Sequence, residues 1–265
     1  MRLLEIDTNG NLRLATFSGN NIPCYAILSH TWERDDQELT FQDVMNGVGR
    51  SKAGYRKVQF SRGQAEKDGL RYFWIDSCCI DKSNNTELSE AINSMFRWYQ
   101  KAAKCYVYLF DVSTSTTLKQ SRWFTRGWTL QELLAPSSVD FFARDGVWLG
   151  NRETLKLKIC DITRISVDAL DGGRLSRFNV ERRISWTNNR QTTIEEDQAY
   201  CLLGIFDVHM PLIYGEGREN AFRRLHEEIK KLHPKEYRVS FPYLVFRMYL
   251  QQSFGIPIDD IVGRI

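Results

Sequence analysis

The chain has 265 residues, 42% of them hydrophobic, with 36 Lys and Arg set against 33 Asp and Glu. This length and apolar fraction exclude a disordered or fibrous protein and describe a folded chain that buries a core, as one large domain or two small ones. The net charge of +3 is spread over alternating signs without a basic stripe, which argues against nucleic acid as a partner.

At the N-terminus "LLEI" and "LRLATF" flank "DTNGN". Asn-Gly tolerates the positive φ of a tight primed turn, so the segment predicts a β-hairpin that covers a sheet edge. No apolar h-region opens the chain, and "FPYLVFRMYL" near its end is short and carries an Arg. Neither a signal peptide nor a membrane span is expected, and the expected location is cytoplasmic. Four runs rich in Val, Ile, Tyr and Phe, at 25–30, 72–79, 104–112 and 138–145, predict strands. Segments of helical period lie between them. In "ELSEAINSMFRWYQKA" the residues Leu88, Ile92, Met95, Phe96 and Tyr99 share one face, opened by Asn84, Asn85 and Thr86 as capping residues. Repeated strand, helix, strand predicts a parallel sheet flanked by helices, with ligands beyond the carboxyl ends of the strands. The residues expected there are Ser29, His30 and Trp32, then Asp76 to Lys82, then Asp111 and Ser113.

In "RGWTLQELLAP" a helix from Thr125 to Leu134 puts Arg126, Leu130, Leu133 and Leu134 on one side, with Trp128 and Glu132 on the other, ended by Pro136. Glu132 is then either a solvated helix carboxylate or part of a cleft or partner surface that accommodates the indole. Asp76 inside an aromatic strand needs a partner or lines the cleft, His30 is structural or a ligand contact, and Asp81 and Lys82 serve as a cap and a solvated charge or as ligands. Beyond about residue 150 the pattern turns helical: "LKLKICDITRI", "NVERRISWTNN", "EEDQAYCLLGIF" and "ENAFRRLHEEIKKL", an integrated half joined without a flexible linker. "YGEG" at Tyr214–Gly217 reads as a turn and not a phosphate loop. The cysteines, Cys24, Cys78, Cys79, Cys105, Cys160 and Cys201, form no CxxC pair and are expected as reduced core residues without a metal.

The motifs "YAILSHTW", "WIDSCCIDK", "SEAINSMFRWY", "CYVYL", "RGWTLQELLAP", "RISWTNNRQTT", "EDQAYCLLGIF" and "MPLIYGEG...AFRRLHEEI" resemble, in order, those of the fungal heterokaryon-incompatibility (HET) domain. The likeness runs from Tyr25 to about Ile229 and implies a HET domain over 1–232, with 233–265 outside it. One departure is Ile194, where the family usually has Arg. The family is associated with fungal non-self recognition and a cell-death reaction. Its first half, here 1–150, is similar to TIR domains: a strand ending in Ser29, Ile75-Asp76 on the second, and a Trp-x-x-x-Glu helix, Trp128 and Glu132. The implied fold is α/β, a TIR-like or flavodoxin-like sheet with the N-terminal hairpin and, over 151–232, a helical half.

In TIR enzymes that Glu cleaves NAD+ at the nicotinamide–ribose bond. The resemblance therefore implies Glu132 as catalytic, with Ser29, His30, Trp32, Asp76, Asp81, Arg126 and Trp128 binding substrate. NAD+ or a related nucleotide would be the substrate, with no cofactor or metal, and the active form a homo-oligomer. A neighbouring protomer would order the loop Asp81 to Thr86, so that cleavage rises more than proportionally with concentration. A non-enzymatic self-association module using Trp128 as an interface anchor is the alternative. Arg183, Trp186, Arg190 and Asp197 are family motif residues, expected to form an ion-pair network between the two halves. An exposed Glu132 would contribute little to folding, so its replacement would change stability by at most about 1 kcal/mol.

Overall fold

The computed structural model describes residues 1–6, 11–19, 21–113, 115–232 and 234. Its centre is a seven-stranded mixed sheet: β1 Arg2–Ile6, β2 Leu12–Thr16, β3 Tyr25–His30, β4 Tyr72–Trp74, β5 Lys104–Leu109, β6 Val139–Ala143 and β7 Trp148–Asn151, in spatial order β2-β1-β4-β3-β5-β6-β7. The four inner strands β4-β3-β5-β6 are parallel, with Ile27 opposite both Trp74 and Cys105. Taken in chain order they lie 2-1-3-4, the flavodoxin-type arrangement, and the order reverses between β3 and β5. β3 is buried at all six positions, as expected of a strand covered on both faces.

The predicted hairpin forms: β1 pairs antiparallel with β2 from Arg2↔Thr16 to Ile6↔Leu12, and β1 closes the edge of β4 through Leu4↔Phe73. The Asn-Gly turn itself lies outside the described residues, as does the segment from 235 onward. The second predicted strand is shorter than 72–79, because the chain turns at Ile75 and Asp76 opens a helical turn that buries Ser77, Cys78 and Cys79. β7 has little sequence signal, since it is four residues with an exposed Trp148 and Gly150 at φ 140°, and it pairs antiparallel with β6.

The helices of this half are α1 Phe41–Met45, α2 Tyr55–Lys67, α3 Asp76–Cys79, α4 Asn85–Lys101 and α5 Thr129–Leu134. α4 follows its sequence signals. Asn84 accepts from the backbone N–H groups of Thr86 and Glu87, and Ala91, Ile92, Met95 and Tyr99 are buried on the inner face. After β7 the described chain is helical: α6 Lys156–Thr163, α7 Val167–Leu170, α8 Val180–Ser185, α9 Asp197–Tyr200, α10 Leu203–Phe206 and α11 Arg218–Leu232. α10 packs on α4 where a Cβ on Gly204 would stand 2.1 Å from Phe96 Cβ. Because the obstacle is the root of a side chain, Gly204→Ala is expected to cost about 2–3 kcal/mol, read as a lowered urea midpoint.

The six cysteines are free thiols; Cys78, Cys79, Cys105 and Cys201 are buried as expected, whereas Cys24 is exposed and Cys160 half-buried. Among the described residues no helix is long and apolar enough to cross a membrane, and no group of three His, Cys, Asp or Glu could hold a metal ion.

Candidate active site

β3 and β5 end side by side at the reversal of strand order. Successive strand residues face opposite sides of the sheet, so Ser29 and His30 enter different environments. Ser29 is fully buried; its hydroxyl donates to the Glu132 carboxylate and accepts from the Trp123 indole N–H at 2.7 Å. The Tyr99 hydroxyl, which donates to Leu28 O at 2.9 Å, stands on the same side and favours the ionised carboxyl.

His30 instead sits 3.4 Å from Glu38 and 3.8 Å from Asp76. Glu38 is buried and receives the Lys57 ammonium at 2.6 Å, the Glu33 N–H at 2.7 Å and the Ser77 hydroxyl at 3.1 Å. Burial alone would raise the Glu38 carboxyl, but His30 and then Lys57 outweigh it and hold the group well below the ordinary carboxylate range. Asp76 accepts from the Trp32 indole at 3.0 Å and from Lys82 at 3.2 Å, and the Lys82 ammonium lies 3.4 Å above the Trp32 ring. Its carboxyl is likewise lowered: burial is overcome by Lys82 and His30. Trp32, 45% exposed, is the outermost member of this group.

Several expectations are corrected. The helix of "RGWTLQELLAP" does not start at Thr125. The backbone there bridges to the helical half, with Gln191 N donating to Thr125 O at 2.6 Å and Gly127 N to Gln191 O at 2.9 Å, so Arg126 lies ahead of α5 rather than on its leucine face. The Arg126 guanidinium reaches Thr193 Oγ1 at 3.1 Å. Trp128 stands at the N-cap and donates to Asp197 at 3.1 Å, while Tyr214 donates to the other oxygen of Asp197 at 3.0 Å. Its indole is therefore a tie to the helical half. The Asp81 carboxylate closes a turn onto Ser83 N and Oγ, and Asp111 holds Ser121 and Arg122 N; both are local caps. Ile194 is exposed, and its position makes no side-chain polar contact.

The largest correction concerns Glu132. All six residues of α5 are buried, because the helix is wedged between the sheet and the helical half, and Glu132 is 7% exposed. Burial lifts its carboxyl to about 8, the Asp76 charge adds to this, and Ser29, Arg190 and Tyr99 act against it. The folded state thus binds a proton that the unfolded chain, at 4.5, releases earlier. This contribution to stability is complete below about pH 4.5 and is lost as pH rises through about 8. Glu132→Gln, which resembles the protonated form, is expected to flatten the decline in stability between pH 5 and 9 by about 2–4 kcal/mol in urea titrations. Glu132→Ala, in contrast, is expected to cost about 2–4 kcal/mol at pH 7, well beyond the 1 kcal/mol of an exposed carboxylate, because it strands the Ser29 hydroxyl beside a void.

Trp123 was not among the residues expected at the site. The only signal for it is chemical, since a tryptophan buried to 1% exposure needs a partner for its indole N–H. Arg190 was expected in an ion-pair network with Asp197. Its buried guanidinium instead donates from Nη1 to Arg126 O at 2.8 Å and to Thr129 Oγ1 at 2.7 Å.

The sequence profile described as Heterokaryon incompatibility protein (HET) matches residues 25–119, the span from β3 to the segment after β5. The Vegetative incompatibility protein HET-E-1 of Podospora anserina is 54% identical over 243 residues, covering 87% of this chain and 18% of that protein. The chain thus spans about a fifth of the length of the curated relative it matches. No solved structure matches it. With that identity over most of the chain, and with the profile laid on the central parallel strands, the chain belongs to the heterokaryon-incompatibility (HET) domain family.

Proposed function

We propose that the chain is the cell-death effector module of a fungal non-self recognition protein and acts by hydrolysing NAD+ at the nicotinamide–ribose bond. The observation that carries this reading is a single carboxyl, Glu132, buried at the switch point of a parallel sheet and shifted toward neutral pH, where α/β sheets bind ligands. The name of the relative, a vegetative incompatibility protein, supports the physiological part.

The chemistry suits one carboxylate. The C–N bond between ribose C1′ and nicotinamide breaks, its electron pair leaves with the ring nitrogen, and nicotinamide departs neutral without needing an acid. Water adds to C1′ and releases a proton, giving ADP-ribose. What needs stabilising is the oxocarbenium-like ribosyl cation, and Glu132 supplies the opposing charge. The cationic nicotinamide ring favours ionised Glu132 on binding, so kcat/KM is expected to rise with pH toward a plateau above about 8. Because Glu132 is enclosed, substrate reaches it only when a covering segment moves, and packing of protomers against the Asp81–Thr86 loop is the proposed trigger.

Nicotinamide release across a protein concentration series tests the reading. A more than proportional rise supports it, and no release by concentrated protein removes it. One observation favours a second reading, a non-enzymatic self-association module: the Glu132 carboxylate is enclosed by satisfied partners, as a structural group would be. Trp128 is occupied by Asp197, so the exposed Trp32 would be its anchor.

A further inference from the structure

Arg190, between α8 and α9, sends its side chain out of the helical half into the segment that leads to Glu132. Nη1 donates to Arg126 O and Thr129 Oγ1. Thr129 Oγ1 is also within 2.7 Å of Trp123 O, Trp123 Nε1 donates to Ser29 Oγ, and Ser29 Oγ donates to Glu132. Two buried hydrogen-bonded segments thereby meet at Trp123: Arg190 and Thr129 reach its backbone carbonyl, and its indole leads through Ser29 to Glu132. Thr129 and Glu132 are also three residues apart on α5, neighbours across one helical turn.

The other end of the guanidinium carries the argument further. Arg190 is 3% exposed, and its Nη2 is buried without a hydrogen-bonding partner. Among the described residues no carboxylate forms a salt bridge with it. A buried cation without a contacting anion is expensive unless an opposing charge stands nearby. Arg126 is itself cationic, and the Cys201 thiol, raised to about 12 by burial, is neutral at physiological pH. Glu132, at about 8, is also largely protonated at that pH, but it is the acid acting on Arg190 that ionises in the neutral to mildly alkaline range.

We propose that Arg190 is the positioning residue of the candidate site: from the helical half it supplies the counter-charge that lets Glu132 ionise inside the fold. The integrated helical half then has a chemical reason to be there, because it adds a buried guanidinium to the field of Arg126, the cation from the sheet half that also acts on the carboxyl. Around Glu132 stand Ser29 from β3, Tyr99 from α4, Cys105 from β5 and Asp76 from the start of α3. Asp76 opposes ionisation, Ser29 favours it by hydrogen bonding, and Arg190 from the helical half and Arg126 from the sheet half are the cations that act on it. Any loosening of the two halves would weaken Glu132 as an anion without touching it. The inference deepens the NAD+ reading of this site but is tested without it.

The experiment follows the Glu132 carboxyl carbon by NMR in 13C-labelled full chain from pH 5 to 10, assigned by its absence in Glu132→Gln. In Arg190→Gln the titration is expected to move up by about one pH unit or more, and Arg190→Lys to restore most of the shift. Thr129→Val, which removes the hydrogen bonds of Thr129 to Arg190 and the Trp123 carbonyl but keeps the charge, is expected to move it far less than Arg190→Gln. An unmoved titration in folded Arg190→Gln overturns the proposal, as does a Thr129→Val shift equal to that of Arg190→Gln. Should Arg190→Gln fail to fold, Arg190→Lys against Thr129→Val decides by the same comparison: the proposal stands if the lysine variant stays nearer the parent midpoint and falls if it does not. Nicotinamide release is measured on the same samples, so a moved titration without turnover leaves the Arg190 assignment standing and removes only the enzymatic reading.

Discussion

Concentrated Glu132→Gln protein is expected to release nicotinamide at least about a hundredfold more slowly than the parent chain, because an amide cannot supply the charge that opposes a ribosyl cation. The substitution suits the test because the fold tolerates it. Near neutral pH burial keeps much of Glu132 protonated, and Gln has nearly the same shape and can still accept from Ser29 Oγ. Its stability at pH 7 is therefore expected within about 1 kcal/mol of the parent, in contrast to the loss expected for Glu132→Ala. Equal rates in the two proteins would remove Glu132 from catalysis and leave the self-association reading, in which the carboxyl is only a buried structural group.

The largest effect on stability is expected at Lys57, on the opposite face of the sheet from Glu132. Its ammonium is 1% exposed and bonds to Glu38 at 2.6 Å and to Thr31 O at 2.9 Å. Lys57→Met fills a similar volume but leaves the Glu38 carboxylate in the core with only His30, Ser77 and the Glu33 N–H around it. The cost is expected to be about 3–5 kcal/mol in urea unfolding, since breaking a buried pair from one side strands the other charge. A loss below about 1 kcal/mol would mean that the pair does not hold this face together. The pH signature separates the two carboxyls. Glu38, held low in the fold, contributes stability that is complete above its unfolded value of 4.5 and is lost as pH falls, the reverse of Glu132. The parent chain is thus expected to be most stable in mildly acidic solution, and Lys57→Met to lose part of the acid limb, with His30 keeping the rest.

Much of the architecture was legible because its causes are local. The near-continuous apolar runs at 25–30 and 104–112 become inner parallel strands, the Asn84 cap and the spacing of Ile92, Met95 and Tyr99 become α4, and the hairpin covers the edge. Each of these depends on residues within a few positions of one another. That Ser29 and Glu132 belong to one site followed from the likeness of the motifs to TIR domains, but their hydrogen bond did not. The burial of Glu132 was not legible. It depends on Ser29, 103 residues away, on Trp123, 94 residues from Ser29, and on a helical half that covers what periodicity alone makes a solvated face. The same holds for Arg126 and Trp128, which a helical wheel assigns to opposite faces of one helix. The backbone bridge to Gln191 keeps Arg126 and Gly127 out of the helix, which begins at Thr129, and the Arg126 and Trp128 side chains both reach the helical half. Composition and periodicity determined which segments are strands and helices, because each segment must bury its own apolar face. Which carboxyl is enclosed, and which cation stands against it, was decided only by tertiary packing, because desolvation and charge depend on neighbours that the chain brings together last.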